Sequence, residues 1–222
     1  MKVELLHNTP LWVCAKAIRK CWASEDKSDT FHIEDGKVWF DIAMDSYEAG
    51  DKDKELINRV GNKNKHKSTL EHLVYTFDVD GISRACLQEL ARHRIASYSV
   101  KSTRYTLKEL KDYEFKSDLE NDAYKFLVQT EIELINRTNI DALLAVHTLL
   151  HMGQSNDKIK YMLPEAYKTS LVMTINARSL QNFIELRSSK SALWEIQNLA
   201  KAMFDAIPTE HKYLFEDFTQ GH

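Results

Sequence analysis

Leu73-Val74-Tyr75-Thr76-Phe77-Asp78-Val79 places an apolar side chain at every second position. A strand turns successive side chains to opposite faces, so the pattern predicts a strand with Leu73, Tyr75, Phe77 and Val79 on its buried side. The period then changes. Ile82, Cys86 and Leu90 recur at helical spacing, and Ile82 to about Arg94 reads as a helix. Upstream, Val3 and Leu5 suggest a short first strand. Thr9 and Pro10 open a helix to about Trp22, with Thr9 as N-cap and Pro10 in the first turn. Ser24 to Asp29 is a polar turn. Asp51 to Val60 is helical, with Glu55 and Arg59 as an i,i+4 pair. Gly61 to Lys67 reads as a basic, mobile loop. Downstream, Leu119 to Arg137 and Asn139 to His151 read as two helices, Thr169 to Ile175 as a strand and Asn176 to Arg187 as a helix. Ser191 to Ile207 and Glu210 to Phe218 complete a helical C-terminus. The strands are not spaced by regular βαβ units. The expected class is therefore α+β, a helix-rich single domain over residues 1–222 with a small, mostly antiparallel sheet.

Composition bounds what such a domain does. The chain has 222 residues, with 30 Lys+Arg against 33 Asp+Glu, a formal net charge of −3. A hydrophobic fraction of 43% at this length supplies a full core and excludes disorder as the main state. The slightly acidic balance excludes a general polyanion sink. Cys14, Cys21 and Cys86 are an odd number without a Cys-x-x-Cys pair, which argues against a disulfide scaffold or structural zinc site and for a reducing compartment. Glu4 stands where a secretory apolar region would begin. The longest apolar run of the second half, Ala142 to Val146, is far short of the roughly 20 residues that span a bilayer. The reading is a soluble cytoplasmic protein with no membrane partner.

Polar chemistry concentrates in Arg92-His93-Arg94-Ile95-Ala96-Ser97-Tyr98-Ser99-Val100-Lys101-Ser102-Thr103-Arg104-Tyr105. Forked guanidinium donors and short hydroxyls suit phosphate, and no carboxylate in the run neutralises them. If the helix from Ile82 continues through Arg94, Arg92 and Arg94 point to nearly opposite sides and His93 joins the apolar stripe. One of the three then faces the protein, which calls for an internal anion, a distant carboxylate or a ligand. In a second cluster Leu180, Phe183, Ile184 and Arg187 fall at i, i+3, i+4 and i+7, so Arg187 points to the core side, paired with Glu71 or Glu185 or with a ligand. Asn176 serves as a helix N-cap or as a donor to phosphate or a ring carbonyl. His147-x-x-x-His151 has metal spacing, but Thr148 stands where a zinc protease carries Glu, and no metal is expected. No Gly-x-Gly-x-x-Gly, Walker loop or Gly-x-Ser-x-Gly elbow is present. Two non-enzymatic readings stay open: a nucleic-acid-binding helical module using residues 92–104, and a purely structural interaction protein.

Arg92-His93-Arg94, seven residues and then Ser102 resembles the Arg-His-Arg-x7-Ser signature of the flavin-dependent thymidylate synthase (ThyX) family. The match runs on through Arg104-Tyr105. It recurs at Ser68-Thr69-Leu70-Glu71-His72 and at Asn176-Ala177-Arg178-Ser179-Leu180, Asn182, Arg187 and Trp194-Glu195, in order over nearly the whole chain. The resemblance implies a ThyX-like α+β fold found as a homotetramer, with FAD bound where subunits meet. It implies conversion of dUMP to dTMP, with 5,10-methylenetetrahydrofolate as carbon donor, NADPH-reduced FAD as hydride source and no enzyme nucleophile. Carried over by residue, Ser68, Arg92, His93, Arg94, Asn176, Arg178 and Asn182 would hold FAD, with His66 near its ring. Val100 stands at a cofactor position where many members carry Glu. Glu89, Arg92, Lys101, Ser102, Thr103, Arg104, Lys160 and Arg187 would surround dUMP. Glu89 stands in place of a frequent Gln, and Lys160 in place of a frequent Arg. Arg104 would take the phosphate, helped by the Ser102–Arg104 backbone. Arg187 would be catalytic, resting against the uracil edge and activating C5.

Overall fold

The computed structural model describes residues 1–41, 48–116 and 118–219; the rest of the expected 1–222 domain lies outside the described residues. In chain order the elements are β1 (Lys2–Asn8), α1 (Leu11–Cys21), β2 (Phe31–Glu34), β3 (Lys37–Phe40), α2 (Asp51–Ile57), β4 (Val74–Ser83), α3 (Arg84–Leu90) and β5 (Ala96–Val100). Then come α4 (Thr103–Thr106), α5 (Lys108–Lys111), α6 (Leu119–Ala123), α7 (Glu133–His151), α8 (Asn156–Ile159), β6 (Lys168–Asn176), α9 (Ala177–Arg187) and α10 (Trp194–Ala206). The helix-rich α+β class is borne out. Four strands form one sheet in the order β1-β4-β6-β5, and β2 and β3 form a separate hairpin. The chain divides into two compact units. One comprises residues 1–2, 79–92 and 98–172, and the other residues 3–78, 93–97 and 173–222.

In the 3–78, 93–97 and 173–222 unit, the alternation at 73–79 does what its period requires: Leu73, Tyr75 and Phe77 are buried. β6 answers with Met173 and Ile175, and the Ala177 N–H donates to the Leu73 carbonyl at 2.8 Å, an antiparallel register continued by the Thr76 and Thr174 hydroxyls at 3.0 Å. Leu11, Cys14 and Ile18 of α1, Leu180, Phe183 and Ile184 of α9, and Ile196, Leu199 and Met203 of α10 complete this core. Each such side chain contributes roughly 1.5–3 kcal/mol by leaving water. Thr9 is not the N-cap of α1. Its hydroxyl accepts from the Val74 N–H at 3.1 Å, so β4 claims it, and Pro10 takes the cap position without a side-chain bond. The β2–β3 hairpin is absent from the sequence reading. Phe31 faces Phe40, and Asp35 and Gly36 turn the chain with φ of 49° and 74°, the two-residue turn that Asp-Gly favours.

The loop expected at Gly61 to Lys67 is regular over most of its length. Asn58–Lys63 continues α2 in π-helical form, and Lys67–His72 is a 3-10 turn. Gly61 is buried there, and a Cβ on it would come within 2.7 Å of Leu70 Cδ2 and 2.9 Å of Leu70 Cγ. Leu70 is itself fully buried, so Gly61→Ala is expected to cost about 1–3 kcal/mol. Thermal unfolding checks this: an unchanged midpoint would show that Leu70 yields.

In the other unit the core is Leu107, Leu110, Ala123, Leu127, Leu143, Val146, Leu150, Ile159 and Tyr167. Two expected helices are rearranged. The stretch from Leu119 breaks after Ala123, because Leu127 bridges to Tyr167 and both amide groups of Asn136 bind the Thr130 backbone, at 2.8 Å each. Helix α7 then runs unbroken through Arg137 and Asn139, where two helices were expected; the Thr138 hydroxyl donates to the Leu134 carbonyl at 2.8 Å. Likewise α3 is shorter than expected. Ile82 belongs to β4, the Ser83 hydroxyl caps α3 by accepting from the Cys86 N–H at 2.9 Å, and the helix ends at Leu90.

Candidate functional site

The end of α3 corrects the helical-wheel argument. Arg92, His93 and Arg94 lie beyond the helix, on the connection to β5, so no helix sets the two arginines on opposite sides. That connection is closed by Tyr98, whose hydroxyl donates to the Leu90 carbonyl at 3.1 Å. Burial pushes the Tyr98 phenol up to about 12, so it stays a donor at neutral pH.

In the unit built from residues 3–78, 93–97 and 173–222, Arg187 is the last residue of α9 and half-buried, on the stripe with Leu180, Phe183 and Ile184. Its Nε donates to His93 Nε2 at 2.9 Å. A guanidinium has no acceptor, so that ring nitrogen carries a lone pair and His93 is the neutral Nδ1–H tautomer. Phe183 meets the His93 ring edge to face at 4.9 Å and fixes its plane. A cation at the C-terminal end of α9 also meets the negative end of the helix dipole. The same helix begins with Asn176 as N-cap, its side chain accepting from the Ser179 N–H at 2.9 Å, so the capping alternative is the observed one. Arg178 is exposed and donates to Glu71 at 2.7 Å; of the acids weighed at the sequence level, Glu71 thus takes Arg178. Asn182, four residues on, is exposed on the same side of α9. His66 and Ser68 are exposed at the start of the 67–72 turn. Arg94 is exposed, and its guanidinium has no ion-pair or hydrogen-bond partner among the described residues.

The other unit carries the remaining groups. Ser102 is the N-cap of α4, and its carbonyl accepts from the Tyr105 and Thr106 N–H groups at 3.1 Å each. Arg104 is exposed on α4, with Nε 3.3 Å from Asp157 Oδ1, its guanidinium 5.7 Å from the Tyr105 ring centre and its carbonyl held by Asn156 Nδ2 at 2.8 Å. Lys101 donates through its backbone to Ser170 at 2.8 Å and through its ammonium to Glu109 at 2.5 Å. Val100 ends β5 and is exposed, as are Arg92 and Lys160, while Glu89 and Thr103 are half-buried. Asn156 and Asp157 went unnoticed in the sequence. Asn156 lies 52 positions from Arg104 in the sequence, and only the fold brings the two together.

The arrangement supplies exposed cations and amides in each unit, and one arginine oriented by a neutral imidazole. The family model described as "Thymidylate synthase complementing protein" matches residues 4–211. The chain is 58% identical over 216 residues to the flavin-dependent thymidylate synthase of Wolinella succinogenes, covering 97% of each chain. It is 57% identical over 218 residues to that of Campylobacter jejuni, covering 97% of this chain and 96% of the relative. A crystal structure of thymidylate synthase X from Helicobacter pylori, holding FAD and dUMP, superposes with a TM-score of 0.86 at 49% identity over 99% of this chain and 100% of that one.

Proposed function

The chain belongs to the flavin-dependent thymidylate synthase family, and from that premise we propose that it converts dUMP to dTMP in a reductive methylation, with FAD as its cofactor. The carbon would come from 5,10-methylenetetrahydrofolate and the reducing equivalents from NADPH. The observation that carries the residue assignments is the Arg187–His93 pair. It holds the guanidinium at Nε, and a planar forked donor is the group that suits a pyrimidine ring edge.

The residues fit a flavin dinucleotide. A pyrophosphate needs N–H donors and positive charge: exposed Arg94 offers a guanidinium without an ion-pair partner among the described residues, exposed Arg178 one that its exposed pair with Glu71 can release, and Asn182 an amide, with His66, Ser68 and Asn176 as further polar groups. Arg92, His93 and Val100 complete the set we assign to FAD. When bound, the flavin supplies hydride transfer. The protein's own work is binding and charge. Ser102, Thr103 and Arg104 would hold the nucleotide phosphate, and Glu89, Arg92, Lys101 and Lys160 would be further residues around dUMP. Arg104 would exchange Asp157 for the phosphate, an easy exchange because that ion pair is exposed. Arg187 would hydrogen-bond the uracil edge, hold negative charge at N3–C4 and so raise the nucleophilicity of C5. No residue of the chain is asked to add to the ring.

We further read residues 1–222 as one functional domain, acting as a homotetramer in the cytoplasm. The family model crosses both compact units. Cys14, Cys21 and Cys86 take part in no disulfide among the described residues, and among these residues no helix is long and apolar enough to cross a membrane. The nucleic-acid reading finds no support: residues 92–104 form a connection, a strand and a short helix rather than a continuous basic helix. The test is direct. The purified protein is expected to show a flavin spectrum that NADPH bleaches, and to release tritium from dUMP labelled at C5 when 5,10-methylenetetrahydrofolate and NADPH are added. A colourless protein that binds oligonucleotides with steep salt dependence would reverse the assignment.

A further inference from the structure

The end of α7 carries a pair of side chains that none of these roles uses. His147 and His151 lie four residues apart in its last two turns, so both rings project from one face. Their Nε2 atoms are 3.2 Å apart, and His147 Nε2 is 3.1 Å from the Tyr113 carbonyl oxygen. The ring centres are 4.5 Å apart, so the rings open away from the point where their nitrogens meet. Phe115 packs edge to face against His147 at 5.1 Å and holds that ring in plane.

These separations have a simple chemical meaning. Two ligand atoms each about 2.0–2.1 Å from one ion lie roughly 3.0 Å apart at octahedral angles and roughly 3.4 Å at tetrahedral ones. The His147–His151 and His147–Tyr113 separations both fall in that range. Protons alone serve the trio less well. If His147 Nε2–H donates to Tyr113, its single hydrogen has to be shared with the facing nitrogen of His151. A cation would use the lone pairs of both imidazoles and the carbonyl oxygen together, with the ring protons on Nδ1. The C-terminal end of a 19-residue helix favours positive charge at that position. The absence of Glu at Thr148 argues against zinc-protease chemistry, since it removes the general base, but it leaves binding untouched.

We propose that His147 and His151, with the Tyr113 carbonyl as a third donor, form a binding site for a divalent transition-metal ion, with water completing the shell. Two imidazoles and one carbonyl suit zinc, nickel or copper(II) rather than calcium or magnesium. The test uses the full-length chain without a histidine tag, stripped by a chelator and titrated calorimetrically with zinc chloride. One zinc per chain with micromolar affinity is expected, and copper(II) is expected to bind more tightly, with two nitrogen couplings in its electron paramagnetic resonance spectrum. His151→Gln is at an exposed position and is expected to weaken zinc binding at least about tenfold while the metal-free unfolding midpoint stays that of the wild type. His147→Gln is expected to do the same to zinc binding. No saturable binding at millimolar zinc, or equal affinity in wild type and His151→Gln, would overturn the assignment.

Discussion

Arg187→Ala is expected to lower kcat/KM for tritium release from C5-labelled dUMP by about 10- to 100-fold, while the purified variant keeps its flavin absorbance. The magnitude follows from the type of contact. A hydrogen bond to a charged group is worth about 1.5–3 kcal/mol, and each 1.4 kcal/mol is a factor of ten. If the bond strengthens as charge builds on the ring, the loss falls on kcat rather than on KM. Arg187→Lys keeps the charge but gives up the forked donor and the Nε contact with His93, so it should recover little of the loss. His93→Leu is the companion variant. It removes the acceptor that holds Arg187, and a fall in kcat with unchanged unfolding midpoint and unchanged flavin content would mark His93 as acting on Arg187 besides its place in the FAD set. Should Arg187→Ala release tritium at the wild-type rate, the arginine is structural and its place at the uracil edge is wrong.

The strands and helices that were legible are those whose signal is local. β4 and β6 alternate along their own sequence, and α9 carries its stripe within its eleven residues, directly after its Asn176 cap. What escaped depends on distant partners. The helix through Arg94 was a fair continuation of Cys86 and Leu90, but α3 stops where the following residues pair as β5, a step fixed by the Lys101 N–H on Ser170 at 2.8 Å. The break before α7 depends on the Asn136 amide, which no periodicity encodes. The motif blocks located the site residues, yet not what holds them. Arg178 meets Glu71 across 107 positions, Arg187 meets His93 across 94, and Asn156 meets Arg104 across 52. The β2–β3 hairpin is different: its Asp35-Gly36 turn was readable, and the short alternation on either side was simply too brief to stand out.

Asp53 shows the same limit on the stability side. In Asp51-Lys52-Asp53-Lys54-Glu55 it reads as one more charge on a solvated helix start, yet it is fully buried. Its Oδ1 accepts from Arg19 Nε at 2.5 Å and ion-pairs with the other arm of that guanidinium, while Oδ2 accepts from the Ser28 and Thr30 hydroxyls at 2.6 Å each. Arg19 is itself buried. Removing one partner of such a pair strands the other charge out of water, which costs about 3–5 kcal/mol, where an exposed pair would cost at most about 1. Asp53→Asn keeps the shape but turns an amide N–H₂ toward either the guanidinium or the two hydroxyls, so donors face donors. For a chain of this size each kcal/mol moves the unfolding midpoint by roughly 2–4 °C, and Asp53→Asn is expected to lower it by roughly 6–20 °C. Differential scanning calorimetry of Asp53→Asn, Arg19→Met and the double variant decides the cause. If the buried charge is what matters, the double variant unfolds at a higher temperature than the sum of the single losses predicts. Strict additivity, or a loss of only a degree or two in Asp53→Asn, would mean that water reaches the pair and that the α1–α2 junction is held by its apolar contacts alone.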